Sequence, residues 1–198
     1  PFLGAEWQAP YESALSAKII RNLGSAFTTI PKDFNPHRQV RRILNERKSM
    51  SLGEAPCDWG FAETLSYSSL LLEGCPVRIS GQDSGRGTFS HRHAVLNDQE
   101  TGTAYLPLQN LGKDQAEFLV INSTLSEEAV LAYEFGYAAA EPNALVVWEA
   151  QFGDFANGAQ VVIDQFIASS EEKWDRYCGL VLLLPHGYDG QGPEHSSA

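Results

Sequence analysis

Asn143 to Phe166 reads NALVVWEAQFGDFANGAQVVIDQF, and this stretch decides the fold class. The run Leu145-Val146-Val147 is short, apolar and bounded by polar residues, which is the pattern of a strand buried on both faces. Beyond it, Val161-Val162-Ile163-Asp164-Gln165-Phe166-Ile167 is spaced like a helix. Between the two lies Trp148 to Gln160, WEAQFGDFANGAQ, which reads as a crowded loop of aromatic, amide and carboxylate side chains leaving a strand end. In an open α/β sheet, ligands sit outside the C-terminal ends of the strands, so this loop is a candidate binding surface.

The same alternation extends on both sides. Asp58 is placed to cap a helix running through Phe61, Leu65, Leu70 and Leu72 to Gly74, followed by a strand from Val77 to Ser80. A strand from Phe118 to Ile121, a helix from Ser126 to Ala140, a strand from Leu145 to Trp148, a helix from Asn157 to Ile167 and a strand from Leu180 to Leu184 follow. Apolar strands separated by helices predict an α/β fold with a mostly parallel sheet between helix layers. Residues 1–56 read as a helical extension and residues 57–198 as the main domain. In the extension, Tyr11 to Leu23 has helical spacing with Gly24 as its C-cap, and Ile30 to Pro36 is a Pro-containing break. A basic helix over Arg38 to Lys48 then places its arginines toward solvent, with Val40, Ile43 and Leu44 as its apolar stripe.

Composition narrows the partners. The 198 residues hold 14 Lys plus Arg against 25 Asp plus Glu, a net charge of −11 that repels phosphate backbones and argues against nucleic-acid binding. The three cysteines, Cys57, Cys75 and Cys178, have neither disulfide-framework nor zinc-ligand spacing and fit a reducing compartment. No apolar run approaches the roughly 20 residues that span a bilayer, and no membrane partner is expected. The chain begins Pro1-Phe2-Leu3 without Met, which suggests a piece of a longer protein or N-terminal processing.

Several residues compete for functional roles. The loop Gly81 to His93, GQDSGRGTFSHRH, lacks the spacing of a nucleotide-binding loop, although its polar residues offer hydrogen bonds and charge. His91 and His93, two apart, suit hydrogen bonding or site lining better than joint metal ligation. Leu125-Ser126-Glu127-Glu128 opens a helix, with Ser126 as N-cap and two carboxylates favourable to the helix dipole. The sharper reading of Glu127 puts it beside a ligand crevice, where burial raises its pKa and fits it for proton exchange. Phe152 and Phe155 are either core aromatics or a flat face for a heteroaromatic ring. His186 and His195 sit in PHGYDGQGPEHSSA; Ser196 and Ser197 beside His195 do not make a hydrolase, since no GxSxG elbow exists.

Taken together, DWGFAETLSYSSLL, SGQDSGRGTFSHRHAVLNDQ, NSTLSEEAVLAYEFGYA, NALVVWEAQFGDFANGAQVVIDQF and GLVLLLPHGYDGQGPEHSSA resemble the thiamine-diphosphate-dependent dehydrogenase component of 2-oxoglutarate dehydrogenase complexes. The resemblance covers Asp58 to Ala198 and implies the pyrimidine-binding domain of a transketolase-like homodimer. By this resemblance, Glu127 is the glutamate that hydrogen-bonds the aminopyrimidine and shares a proton with it. Phe155 packs against the pyrimidine, with Phe152 and Leu125 nearby. His195 resembles the active-site histidine that stabilises charged intermediates, and Gln82 a polar residue at the substrate side, supported by Asp83, His91 and His93. The implied cofactor is thiamine diphosphate, with magnesium bound by a domain absent from this chain, because no GDG-type loop with a downstream Asn occurs here. The implied substrate is 2-oxoglutarate, and the implied partner is the lipoyl domain of the succinyltransferase component, in the cytoplasm of a bacterium or the mitochondrial matrix. The alternatives are a catalytically inactive folding or dimerisation module, a related 2-oxo acid dehydrogenase, or a transketolase-like sugar enzyme.

Overall fold

The structure is a computed structural model describing residue 10 and residues 12–185. Its centre is a parallel sheet of β1 (Val77–Gly81), β4 (Phe118–Asn122), β5 (Leu145–Glu149) and β6 (Val181–Leu183), in the order β4-β1-β5-β6. A small antiparallel pair, β2 (Leu96–Asn97) and β3 (Ala104–Tyr105), lies in the connection from β1 to β4. The mostly parallel α/β sheet between helix layers is as the alternating pattern predicts.

Successive strand residues face opposite sides, and the two faces bury different cores. On one face Val77, Ile79 and Val147 pack with Leu23 and Phe27 of α1 (Ala17–Thr28) and with Phe61, Tyr67 and Leu71 of α3 (Trp59–Leu72). On the other, Trp148 packs with Val130 and Leu131 of α4 (Glu127–Ala140), and with Ala156 and Ala159 around α5 (Gly153–Gly158). Among the described residues, no helix is long and apolar enough to cross a membrane.

The strands end in register. Gly81 is opposite both Asn122 and Glu149, and Glu149 is opposite Leu183, so one row crosses all four strands at their C-terminal ends. The chain leaves β1 toward β4 on one side and leaves β5 toward β6 on the other, which opens a crevice between β1 and β5 at that row. Gly81 has φ 149°, and a Cβ there would collide with the Glu149 carbonyl oxygen and crowd Ser84 Oγ. Gly81→Ala is therefore expected to destabilise the fold by about 1–3 kcal/mol, seen as a lower urea midpoint.

Three expectations differ from the structure. The first helix runs to Thr28 with Ser16 as N-cap, and Gly24 lies inside it rather than capping it. A Cβ on Gly24 would strike Ser51 of α2 (Arg38–Leu52), so this glycine serves a close helix approach, a tertiary demand that mimics a stop signal. In α2, Arg47 is buried and donates to the carbonyls of His91 and Arg92 at 2.6 and 2.8 Å, against the expectation of a solvent-facing arginine row. The stretch read as one loop and one helix instead forms α5, a short α6 (Gln160–Val162) and a π-helical turn over Ile163–Ile167, before α7 (Ser170–Trp174). Ala156 and Ala159 are buried there, so packing draws the supposed loop into helix.

Candidate functional site

Three chain segments leaving the row of strand ends meet at one cleft of about 350 Å³. Gln82 comes from the turn after β1, Leu125, Ser126, Glu127 and Glu128 from the start of α4, and Asp154, Phe155 and Gly158 from α5. Leu125 and Phe155 leave apolar surface open at the cleft, 62% and 38% exposed. Phe152 does not line it; its ring stands 5.8 Å from that of Phe155, centroid to centroid, and so backs the cleft wall.

Glu127 is set at this cleft by its helix. Ser126 caps α4 by accepting from the Ala129 N–H at 3.3 Å, which leaves the Glu127 side chain free to turn toward the sheet. Its Oε2 is buried and has no hydrogen-bond partner. Burial pushes the carboxyl above its ordinary pKa, and the charge of Glu149 adds to this, against the backbone N–H of Gln151 and the indole of Trp148. Trp148 Nε1 approaches the carboxyl without closing a well-formed hydrogen bond of its own.

Seven residues along α4, the contrast is plain. Glu134 is 1% exposed and receives both Arg78 Nε and Nη2, at 2.8 and 2.9 Å. Arg78 also lies over the ring of Tyr137 at 4.5 Å. One helix face thus carries a carboxylate neutralised by a guanidinium and, two turns earlier, a carboxyl left with a raised pKa and an unpartnered oxygen. The second arrangement favours a group that holds and shares a proton.

Residues 55–198 match the transketolase pyrimidine-binding domain. The chain belongs to that family. It is 58% identical over 198 residues to the 2-oxoglutarate dehydrogenase E1 component of Azotobacter vinelandii, and 57% identical over 197 residues to that of Haemophilus influenzae. The E1 component of Cupriavidus necator is 56% identical over 202 residues. Each match takes in 100% of this chain and 21% of the relative, so the chain spans about a fifth of the length of these proteins.

Other candidate residues of this pyrimidine-binding domain fall away from the cleft. Asp83 turns to Arg86 at 3.0 Å on the surface. His91 Nε2 stands 3.7 Å from Glu63 Oε2, and His93 borders a water-sized cavity with Phe27, Leu44 and Arg47. Burial and then the charge of Arg47 lower the His93 pKa. His186 and His195 lie outside the described residues. Among the described residues, no group of His, Cys, Asp and Glu is arranged to hold a metal ion.

Glu63, Arg92 and Glu149, which no motif in the sequence marks out, form a charge cluster behind the cleft around the buried Arg92 guanidinium. Burial opposes the charge of Glu63, yet the neighbouring His91 ring and the hydrogen bonds and charge of Arg92 hold its pKa down to about 2. A signal was available: Glu149 directly follows the buried run Leu145 to Trp148, and a carboxylate in such a place requires a cation nearby.

Proposed function

We propose that this chain supplies the pyrimidine-binding half of a thiamine diphosphate site in a 2-oxoglutarate dehydrogenase E1 component. The observation that carries the reading is Glu127 Oε2, buried, unpartnered and borne on a residue that lines a cleft flanked by Leu125 and Phe155. An aminopyrimidine ring matches that set, having a polar edge for the carboxyl and two apolar faces for the side chains. When bound, thiamine diphosphate supplies a thiazolium carbon that adds to the 2-oxo carbon and accepts the electrons left by loss of carbon dioxide.

The chain's own residues then have distinct tasks. Glu127 holds a proton at its carboxyl and shares it with the ring edge, a task suited by its raised pKa. Phe155 and Leu125 orient the ring, Phe152 supports Phe155, and Gln82 offers a polar contact from the opposite wall. His195, by resemblance, serves the charged intermediates. The diphosphate and magnesium fall to a domain outside these residues, brought by the partner protomer of a homodimer. The parent protein then decarboxylates 2-oxoglutarate and passes the succinyl group to the lipoyl domain of the succinyltransferase; the similarity to E1 components supports this. The bacterial source of those proteins supports a cytoplasmic setting.

Two measurements test the reading. The full-length protein is expected to decarboxylate 2-oxoglutarate and not to transfer a two-carbon ketol unit from a sugar phosphate donor to an aldose acceptor; the reverse preference would make it a transketolase. Phe155→Ala is expected to weaken thiamine diphosphate binding about tenfold by loss of ring stacking and contact area, with little change in melting temperature because Phe155 is partly exposed. Unchanged affinity by calorimetry would remove the ring from that wall.

A further inference from the structure

Arg92, in the middle of SHRH, is 1% exposed and bonds to three separate parts of the chain. Its Nε and Nη2 donate to Glu63 of α3 at 2.6 and 3.0 Å. Its Nη1 donates to the Ser84 carbonyl within its own loop at 2.8 Å and to Glu149 Oε2 at the end of β5 at 2.6 Å. From there the links run on to the cleft. The Thr88 N–H donates to Glu149 Oε1 at 3.3 Å, Thr88 Oγ1 meets Gln151 Oε1 at 3.2 Å, and the Gln151 backbone N–H faces the Glu127 carboxyl and works to lower its pKa.

The loop needs such a clamp. Asp83, Ser90 and His93 all have positive φ, at 58°, 53° and 47°, a conformation that persists in non-glycine residues only where the surroundings over-determine it. Buried ion clusters add little net stability compared with an apolar core, but forked guanidinium–carboxylate bonds fix geometry tightly.

We propose that Arg92 is a positioning residue for the cleft: it locks the loop that presents Gln82 to the strand end that leads to Gln151 and Phe155, so the two walls keep one spacing. This rests on the cofactor reading of the cleft. Arg92 itself does not line the cleft.

The test uses the full-length protein with Arg92→Met, Arg92→Lys and Glu149→Gln, and Glu127→Gln as a control. Backbone hydrogen exchange over residues 82–93 is measured without cofactor, and thiamine diphosphate affinity by calorimetry in the presence of magnesium. Arg92→Met is expected to speed loop exchange and weaken affinity, each by about tenfold or more. Arg92→Lys keeps the charge and loses the fork, so it recovers only part of both. Glu149→Gln frees the loop from β5 alone and moves both readouts the same way by less, and it decides the question if Arg92→Met does not fold. Glu127→Gln is expected to leave loop exchange as in wild type. Variants at Arg92 or Glu149 that fold with wild-type loop exchange and wild-type affinity overturn the proposal. If wild-type protein binds no thiamine diphosphate, the cofactor reading falls, and loop exchange still decides whether Arg92 holds the loop.

Discussion

Glu127→Gln in the full-length protein is expected to lower kcat for 2-oxoglutarate decarboxylation by about a hundredfold to ten-thousandfold, the range for loss of a positioned proton-transfer group. Glutamine keeps the shape and cannot ionise. Undiminished turnover would end the catalytic assignment. Stability is expected to move the opposite way. Because burial holds the folded-state pKa of Glu127 above its unfolded value, its contribution is fully present below the unfolded value and is lost as pH rises through the folded one. The variant loses nothing there, so its melting temperature relative to wild type is expected to climb as pH rises above the ordinary glutamate value of about 4.3. Lower activity together with equal or greater stability separates a functional carboxyl from a structural one.

Glu134→Ala is expected to cost about 3–5 kcal/mol, because it leaves Arg78 against the sheet without its anion. A urea titration of the chain measures this. The double replacement Arg78→Met with Glu134→Leu is expected to recover most of the loss, since filling the volume with apolar side chains removes the unpaired charge. A single variant as stable as wild type would mean that the pair is dispensable to α4. The result also bears on activity, for Glu134 and Glu127 share a face of the same helix, and slack at one reaches the other.

Much of this was legible in the chain. The strands announced themselves as short apolar runs: β5 is apolar from Leu145 to Trp148 because both its faces are covered, β4 keeps Phe118 to Ile121 although it is a half-buried edge strand, and β1 holds Val77 and Ile79 on its core face. Motif resemblance points to Gln82, Leu125, Glu127 and Phe155, and these four residues line one cleft. Gly24 misled because a glycine required by a crossing helix looks locally like a helix stop. Arg47 and Arg92 were hidden for a related reason. Their burial depends on carbonyls and carboxylates far away in sequence, and an arginine's local context does not reveal those partners. The α5 segment was masked by its glycines, Gly153 and Gly158, while the packing of Ala156 and Ala159 overrode their weak helix propensity.

The row Asn122, Gly81, Glu149 and Leu183 sets how this domain can be altered over time or by design. Side chains beyond the row can be exchanged singly, each at a local cost. Length within a strand cannot. One residue added to or removed from β1 turns Val77 and Ile79 away from their core and shifts Gln82 off its level relative to Glu127 and Phe155. Diversification of this cleft is therefore open to replacement and closed to insertion up to the row, and becomes free in length only in the loops that follow it.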